Sequence, residues 1–184
     1  MTASDAELLD RLLLDRSVKH GHFVLASGRT SSYYIDARLS TMSAEGLVLI
    51  GRLGLAAIRG RGWDARGIGG LTMGADPVAY AIAARSAADP PIVNAFSVRK
   101  EPKAHGTGQR VEGNFAPGDA VVVVEDTITT GGSAIKAVEA IREAGGSVLG
   151  ILAVVDREEG GRQALEQAGL DVVTLTTASR LGLR

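Results

Sequence analysis

The stretch VVVVEDTITTGGSA, residues 121–134, combines the side chains with the clearest chemical potential in this sequence. Four valines predict a buried strand that ends at Val124, and two acids, Glu125 and Asp126, follow directly. Hydroxyl residues and glycines come next and lead into a predicted helix, whose free backbone N–H groups can bind an anion. The acids cannot serve the same anion. They suit hydroxyl groups, or a magnesium ion reached through water.

One class of ligand satisfies both halves of this stretch, namely a ribose 5-phosphate. Its diol would lie on the carboxylates and its phosphate in the loop, where Gly131 and Gly132 allow the backbone to approach closely. The alternative is a polar strand end followed by a capped helix. No GK[ST] follows the loop and no GxGxxG occurs in the chain, so neither a Walker loop nor a dinucleotide fingerprint is present.

The composition limits the classes of protein to consider. The 184 residues fit one domain, with 45% hydrophobic and 22% charged residues. The net charge of −1 gives no overall basic field that would point to nucleic acid. The chain has no cysteine, which excludes disulfides, thiolate metal sites and a cysteine nucleophile. The N-terminus is not a signal peptide, and no apolar run approaches the roughly 20 residues of a membrane span. We expect a soluble, cytoplasmic protein with no membrane partner.

Strands and helices are predicted to alternate from about residue 65 onward. Several strands are continuously apolar, which favours a mostly parallel sheet with helices on both faces, an α/β fold. Ligands of such sheets bind beyond the carboxyl ends of the strands. Before this region, residues 21–36 predict two short extended pieces around a Ser/Gly turn. Predicted helices begin near Ser4, at Ser43 (ending near Gly60), at Asp76 (to about Ser86), at about Gly132 (to Ala144) and near Arg162 (to Ala168).

Residues 99–113, RKEPKAHGTGQRVEG, predict a long basic loop without regular structure. A helix terminus contributes only about 0.3–2 kcal/mol to an anion, whereas micromolar binding needs about 8 kcal/mol. A highly charged ligand therefore needs further cations, and this loop supplies them. The alternative is a solvated basic loop. Its cationic side chains are Arg99, Lys100, Lys103, His105 and Arg110.

Arg157 follows another apolar strand, ILAVVD, and is predicted at the same sheet edge as the acids. A guanidinium group offers a planar fork that suits a carboxylate. The alternative is a surface arginine paired with Glu158 or Glu159.

Residues 121–134 resemble the phosphoribosyl-pyrophosphate (PRPP) motif of type I phosphoribosyltransferases: an apolar strand, two acids and a Thr/Gly phosphate loop. Residues 99–113 resemble the mobile catalytic loop of the orotate phosphoribosyltransferases. The resemblance implies a single domain, 1–184, of the type I phosphoribosyltransferase fold. A small N-terminal hood would cover roughly residues 1–40 and the loop roughly 99–113. The implied reaction converts orotate and PRPP to orotidine 5′-monophosphate and pyrophosphate, in pyrimidine (UMP) biosynthesis.

The same resemblance assigns roles to individual residues. Lys103, Glu125 and Asp126 would be catalytic, with Lys103 stabilising the departing pyrophosphate. Thr129 and Arg157 would bind orotate. Mg²⁺ would be held mainly by substrate and water, and a homodimer would share its loops between subunits. PRPP would be bound by Arg99, Lys100, Lys103, His105, Glu125, Asp126, Thr127, Ile128, Thr129, Thr130, Gly131, Gly132 and Ser133.

Two positions depart from the family pattern, and two rival functions remain. The family often carries a lysine near Met73, and some members carry one where Ala26 stands; this chain lacks both. One rival is a purine phosphoribosyltransferase, against which Arg157 and the basic loop argue. The other is a non-catalytic PRPP sensor that binds DNA. It would need a basic winged-helix segment, but only about 20 residues precede Phe23 and the net charge is slightly negative.

Overall fold

The computed structural model describes residues 3–24, 30–101 and 109–184. The described helices are α1 (Asp5–Arg16), α2 (Arg38–Thr41), α3 (Ala44–Gly60), α4 (Ala75–Ala87), α5 (Gly132–Glu143) and α6 (Gly161–Gln167). The strands are β1 (Val18–Val24), β2 (Thr30–Ile35), β3 (Gly67–Leu71), β4 (Asn94–Val98), β5 (Val111–Gly113), β6 (Ala120–Ile128), β7 (Ser147–Asp156) and β8 (Val172–Thr177).

The main sheet has six strands in the order β5-β4-β3-β6-β7-β8. Among the described strands of this sheet, only β5 runs antiparallel to its neighbour, and the pairs from β4 to β8 are parallel. The valines of β6 alternate between the two faces of the sheet. Val122 and Val124 pack in a core with residues of α1, α3 and α4, whereas Val121 and Val123 pack in a second core with α5 and α6. The predicted α/β sheet with helices on both faces is therefore confirmed.

Short polar residues begin two of the helices as the sequence predicts. Ser4 and Glu7 form a capping box at the start of α1. The N–H of Gly46 donates to Oγ of Ser43 at 3.0 Å at the start of α3, which ends at Gly60. Helix α4 begins at Ala75, one residue before the predicted start.

Strands β1 and β2 form a separate antiparallel pair near the N-terminus. The Ser/Gly turn between them, with Ala26, lies outside the described residues. An ion pair of 2.7 Å joins Asp10 of α1 to Arg180, close to the C-terminus. The boundaries predicted for the hood and for the mobile loop stay predictions.

Two predicted boundaries were wrong. Strand β6 does not end at Val124, because β7 continues beside it as far as the pair Ile128–Asp156. Strand β3 leaves β6 earlier, at Val123, so the acids lie in a part of β6 that is paired on one side only. The end of the predicted basic loop also contains the short strand β5, which pairs with β4. Within the described ranges, no helix combines the length and apolar character of a membrane span.

Candidate active site

A cleft of about 420 Å³ lies at the carboxyl edge of the parallel strands. Its walls come from the segment after β2, the turn between β3 and α4, the base of the basic loop, the end of β6 and the turn after β7. Volume and position are those of a small-molecule site in an open α/β sheet. The lining residues are Tyr34, Ile35, Asp36, Ala37, Arg38, Leu71, Thr72, Met73, Gly74, Lys100, Glu125, Asp126, Thr127, Thr129, Ser133 and Arg157.

The two predicted acids lie together in this cleft. Glu125 is 6% exposed, and its Oε1 has no hydrogen-bond partner among the described residues. Burial, and then the charge of Asp126, raises the pKa of Glu125 to about 8. Burial also raises the pKa of Asp126, while the N–H of Thr127 and the charge of Arg38 act to lower it. Hydroxyl donors from a ligand would supply the missing hydrogen bonds.

The residues after the acids form a turn into α5. Thr127, Thr129 and Ser133 line the cleft. Gly131 has φ of 82°, a left-handed conformation that glycine adopts without strain, and α5 begins at the next residue. The turn thus delivers hydroxyl groups and the free N–H groups of a 12-residue helix to the cleft. The side chain of Ile128 is buried in the core, so this residue can offer a ligand only its backbone.

This turn lies directly against the turn that follows β7. A Cβ atom added to Gly161 would lie 2.4 Å from the carbonyl oxygen of Thr129 and 2.7 Å from Cγ2 of Ile128. A Cβ atom added to Gly131 would lie 3.0 Å from Cγ of Leu165 in α6. The two turns are therefore packed backbone to backbone, which leaves no space for a side chain at Gly161 and little at Gly131.

Arg157 is buried in the cleft wall and is not a surface residue. It is 4% exposed, its guanidinium lies 5.2 Å from the ring centre of Tyr33, and Nη2 lies 2.7 Å from Oε1 of Glu159. Despite that proximity, neither Nε nor Nη2 makes a hydrogen bond of good geometry within the described part of the chain. The guanidinium is thus held in place with donor capacity left for a planar anion.

Two neighbours shape the backbone that carries Arg157. Glu158 has φ of 58°, and its N–H donates to Oδ1 of Asp156 at 2.7 Å. Its carboxylate does not pair with Arg157 but accepts the N–H of Ser179 at 2.6 Å, which lowers the pKa of Glu158. The sequence alternative of a pair with Glu159 is correct as an ion pair, but that pair is buried.

Only the two ends of the predicted basic loop lie within the described residues. Lys100 is exposed and lines the cleft. Arg99 pairs with Glu112 at 3.2 Å, and its N–H donates to the carbonyl of Arg110 at 2.8 Å, so the two arms of the loop are joined at their base. Lys103 and His105 lie outside the described residues.

Sequence reasoning missed one charged pair in the cleft. Nε and Nη2 of Arg38 donate to the two carboxylate oxygens of Asp36 at 2.8 and 3.1 Å, and both residues line the cleft. This contact lowers the pKa of Asp36 and raises that of Arg38. The charged pair directly after the strand SSYYI was the available signal, since charges at a strand end often face a site.

The fold and the acid–hydroxyl edge define a class of enzymes that handle phosphorylated ribose. Residues 62–170 match the sequence model of the phosphoribosyl transferase domain family. The chain is 46% identical to the orotate phosphoribosyltransferase of Aquifex aeolicus, over 98% of this chain and 100% of that one. The Mycobacterium tuberculosis orotate phosphoribosyltransferase superposes with a TM-score of 0.87 at 43% identity, covering 98% and 100% of the two chains. A second structure of that enzyme, in complex with PRPP, superposes with a TM-score of 0.83 at 40% identity and the same coverage.

The chain therefore belongs to the phosphoribosyltransferase family and, within it, to the orotate phosphoribosyltransferases. The family, the fold class, the function and the enzyme class predicted from the sequence are confirmed. The roles of individual residues stay predictions.

Proposed function

We propose that this cleft transfers the 5-phosphoribosyl group from PRPP to orotate, giving orotidine 5′-monophosphate and pyrophosphate in UMP synthesis. The observation that carries the proposal is the meeting of the acid pair, the hydroxyl turn and Arg157 in one cleft. The related Mycobacterium tuberculosis enzyme was solved in complex with PRPP, which supports PRPP as a ligand of this fold.

The acid pair and the turn after it would hold the two ends of the sugar phosphate. Glu125 is buried with one oxygen unpartnered among the described residues, and half-buried Asp126 lines the cleft beside it, so the ribose diol would donate to both. The 5-phosphate would then lie against residues 127–133, on N–H groups and hydroxyls at the start of α5. PRPP is thereby oriented with its anomeric carbon in the open part of the cleft.

Arg157 would read the carboxylate of orotate, with Thr129 beside it. The guanidinium is already oriented by Tyr33 and Glu159, so little rotamer freedom is lost on binding. Purine bases have no carboxylate, and a buried arginine would gain little from them. This feature supports orotate over the purine alternative.

The reaction requires no covalent enzyme intermediate. The bond between the anomeric carbon and the pyrophosphate oxygen breaks, with its electron pair leaving on pyrophosphate. A ring nitrogen of orotate forms the new bond and gives up its proton, which the departing pyrophosphate can take up. Positive charge develops on the ribose in between, and the adjacent carboxylates would stabilise it. Lys103 would stabilise the departing pyrophosphate with Arg99, Lys100 and His105, and closure of their loop would exclude water.

Magnesium fits this site as a companion of the substrate. Over residues 3–24, 30–101 and 109–184, no group of three or more His, Cys, Asp or Glu residues could hold a metal ion. Asp126 and Glu125 could reach Mg²⁺ through water or through the ribose hydroxyls. When bound, the ion would neutralise part of the pyrophosphate charge as it leaves.

The proposal includes a homodimer in which each basic loop reaches the neighbouring subunit, and a cytoplasmic location. Mixing two inactive variants, one altered in the loop and one in the acid pair, tests loop sharing, because a mixed dimer would regain one complete site. Cell fractionation tests the location.

The deciding experiment follows the loss of orotate absorbance when PRPP and magnesium chloride are added to the purified chain. We expect turnover that stops when a chelator is added and does not occur when hypoxanthine, guanine or adenine replaces orotate. Turnover with a purine would favour the first rival. Absence of all turnover, together with salt-sensitive DNA binding, would favour the second.

A further inference from the structure

The described walls of the cleft offer few cations that could meet a pyrophosphate group. They present three carboxylates, Asp36, Glu125 and Asp126. The cations on the same walls are Arg38, Lys100 and Arg157. Arg157 is buried, lies beside Glu159 and is assigned to the orotate carboxylate in the proposed function, which leaves Arg38 and Lys100 for the pyrophosphate. PRPP itself brings a phosphate and a pyrophosphate, and cations near the pyrophosphate are therefore decisive.

Arg38 is placed and oriented as such a cation. Its guanidinium uses Nε and one hydrogen of Nη2 on Asp36, which fixes the plane of the group. Three of its five N–H donors remain, and the side chain is 48% exposed. An exposed pair of this kind contributes little to stability, about 0–1 kcal/mol, so the fold does not explain its position.

The chemistry of PRPP indicates which group Arg38 meets. In this α-linked sugar, the pyrophosphate and the two ring hydroxyls lie on one face of the ribose. A cation beside the carboxylate that holds the diol is therefore also beside the pyrophosphate. Arg38 lines the same cleft as Asp126, and its guanidinium is near enough to act on the pKa of that carboxyl group.

The neighbouring wall lacks a cation of its own. Gly74 abuts the carboxylate of Asp126, since a Cβ atom added there would lie 2.7 Å from Oδ1. The adjacent residue is Met73, which is 62% exposed, lines the cleft and is uncharged. Arg38 reaches the same side of the cleft from the segment after β2.

We infer that Arg38, oriented by Asp36, is a ligand of the pyrophosphate group of PRPP. It supplies from the hood side the positive charge that the β3–α4 turn does not carry. The inference rests on the proposed function for the identity of the ligand, but its test includes direct binding, which does not depend on turnover.

The experiment compares Arg38→Met with Arg16→Met as a matched control. Arg16 is 49% exposed and lies 2.8 Å from Glu45, so it shares the exposure and pairing distance of Arg38 but lies outside the cleft. Isothermal titration with PRPP, and separately with pyrophosphate, is carried out in magnesium chloride alongside steady-state kinetics. For Arg38→Met we expect about tenfold to hundredfold weaker binding of both ligands and a matching rise in the PRPP KM. The orotate KM should stay within about twofold, and Arg16→Met should match the wild type.

Two further variants separate direct binding from compensation of Asp36. Met73→Lys in the Arg38→Met background should recover most of the lost affinity, because it returns a cation to the same side. Asp36→Asn in that background should not. Equal affinities for Arg38→Met and Arg16→Met, or full recovery with Asp36→Asn, would overturn the inference. If the wild type bound PRPP in an Arg38-dependent way but did not consume orotate, the proposed function would fail and this inference would stand.

Discussion

Strands β6 and β7 lie side by side, and the turns that follow them enter their helices with similar backbone geometry. Each turn contains a glycine in the left-handed region, Gly131 with φ of 82° and Gly160 with φ of 95°. Each continues directly into a helix that begins with glycine, α5 or α6. On backbone geometry alone, both turns could hold an anion.

The side chains make the two turns different. The β6 turn presents hydroxyls to the cleft and leads into a helix of 12 residues. The β7 turn carries Glu158 and Glu159, and its helix has only seven residues. The carboxylate of Glu158 already accepts the N–H of Ser179. Carboxylates repel an anion, so the second turn is suited to orient Arg157, and the first to receive phosphate. Backbone shape thus permits anion binding, and side-chain charge decides whether it occurs.

The largest expected effect separates the acids of the two strands. Asp126→Asn removes the charge that holds the ribose diol and should lower kcat/KM for PRPP by about 10²–10³-fold. The matched change Asp156→Asn keeps an oxygen acceptor for the N–H of Glu158, so it should cost at most about 1 kcal/mol of stability. Its kcat/KM should stay within about threefold. Similar kinetics for the two variants would contradict the division of roles.

The pH dependence of the free energy of unfolding tests the burial of Glu125 in β6. Between the ordinary carboxyl pKa of 4.5 and the folded pKa of about 8, folded Glu125 binds its proton more tightly than unfolded Glu125 does. The free energy of unfolding should therefore fall as pH rises through this window. Glu125→Gln removes that dependence, and its advantage over the wild type should grow on the order of a few kcal/mol from pH 5 to pH 8. Urea titrations of both proteins at several pH values measure it, and parallel curves would exclude the shifted pKa.

The contact between the two turns can be broken from the β7 side. Gly161→Ala would place Cβ against the carbonyl of Thr129 and should destabilise the protein by about 1–3 kcal/mol. It should also weaken PRPP binding, because the phosphate turn must move. Gly160→Ala is the control: its Cβ meets no atom within 4 Å, and only the left-handed φ is penalised, by about 1–2 kcal/mol. Thermal melts and PRPP titrations should show similar stability losses, with affinity lost only in Gly161→Ala.

The smallest effect concerns the residue that the β7 turn positions. Arg157→Lys keeps the charge but loses the planar fork, so the orotate KM should rise about tenfold. The PRPP KM should change little. Arg162→Lys, at an exposed pair with Glu166 in α6, provides the reference. If the PRPP KM alone moved in Arg157→Lys, the carboxylate assignment would be wrong.

Local signals in the sequence were sufficient for much of this molecule. Ser43 identified the start of α3 because a cap acts within three residues. The stretch from Glu125 to Ser133 identified the cleft because its unusual chemistry is contiguous. The extent of β6 could not be predicted, since it depends on β7 pairing beside it as far as Ile128.

Contacts between distant segments account for what the sequence did not reveal. The burial of Arg157 depends on Tyr33, which comes from the N-terminal pair of strands. Arg38 belongs to the cleft only because the segment after β2 lies beside the end of β6 in the folded chain. No pattern of neighbouring residues in the sequence predicts the contact of Tyr33 with Arg157 or the position of Arg38 in the cleft.

The alternation of the valines in β6 also has a consequence for how this enzyme could change over generations. Because successive residues of a strand face opposite sides, the packing of Val121 to Val124 decides which acid faces which way. Loss of one valine would leave composition and hydropathy almost unaltered, yet it would exchange the orientations of Glu125 and Asp126. Length in this segment is therefore under stricter constraint than identity. Exchanging one valine for another apolar residue costs packing energy, whereas a change of one residue in length reverses both acids.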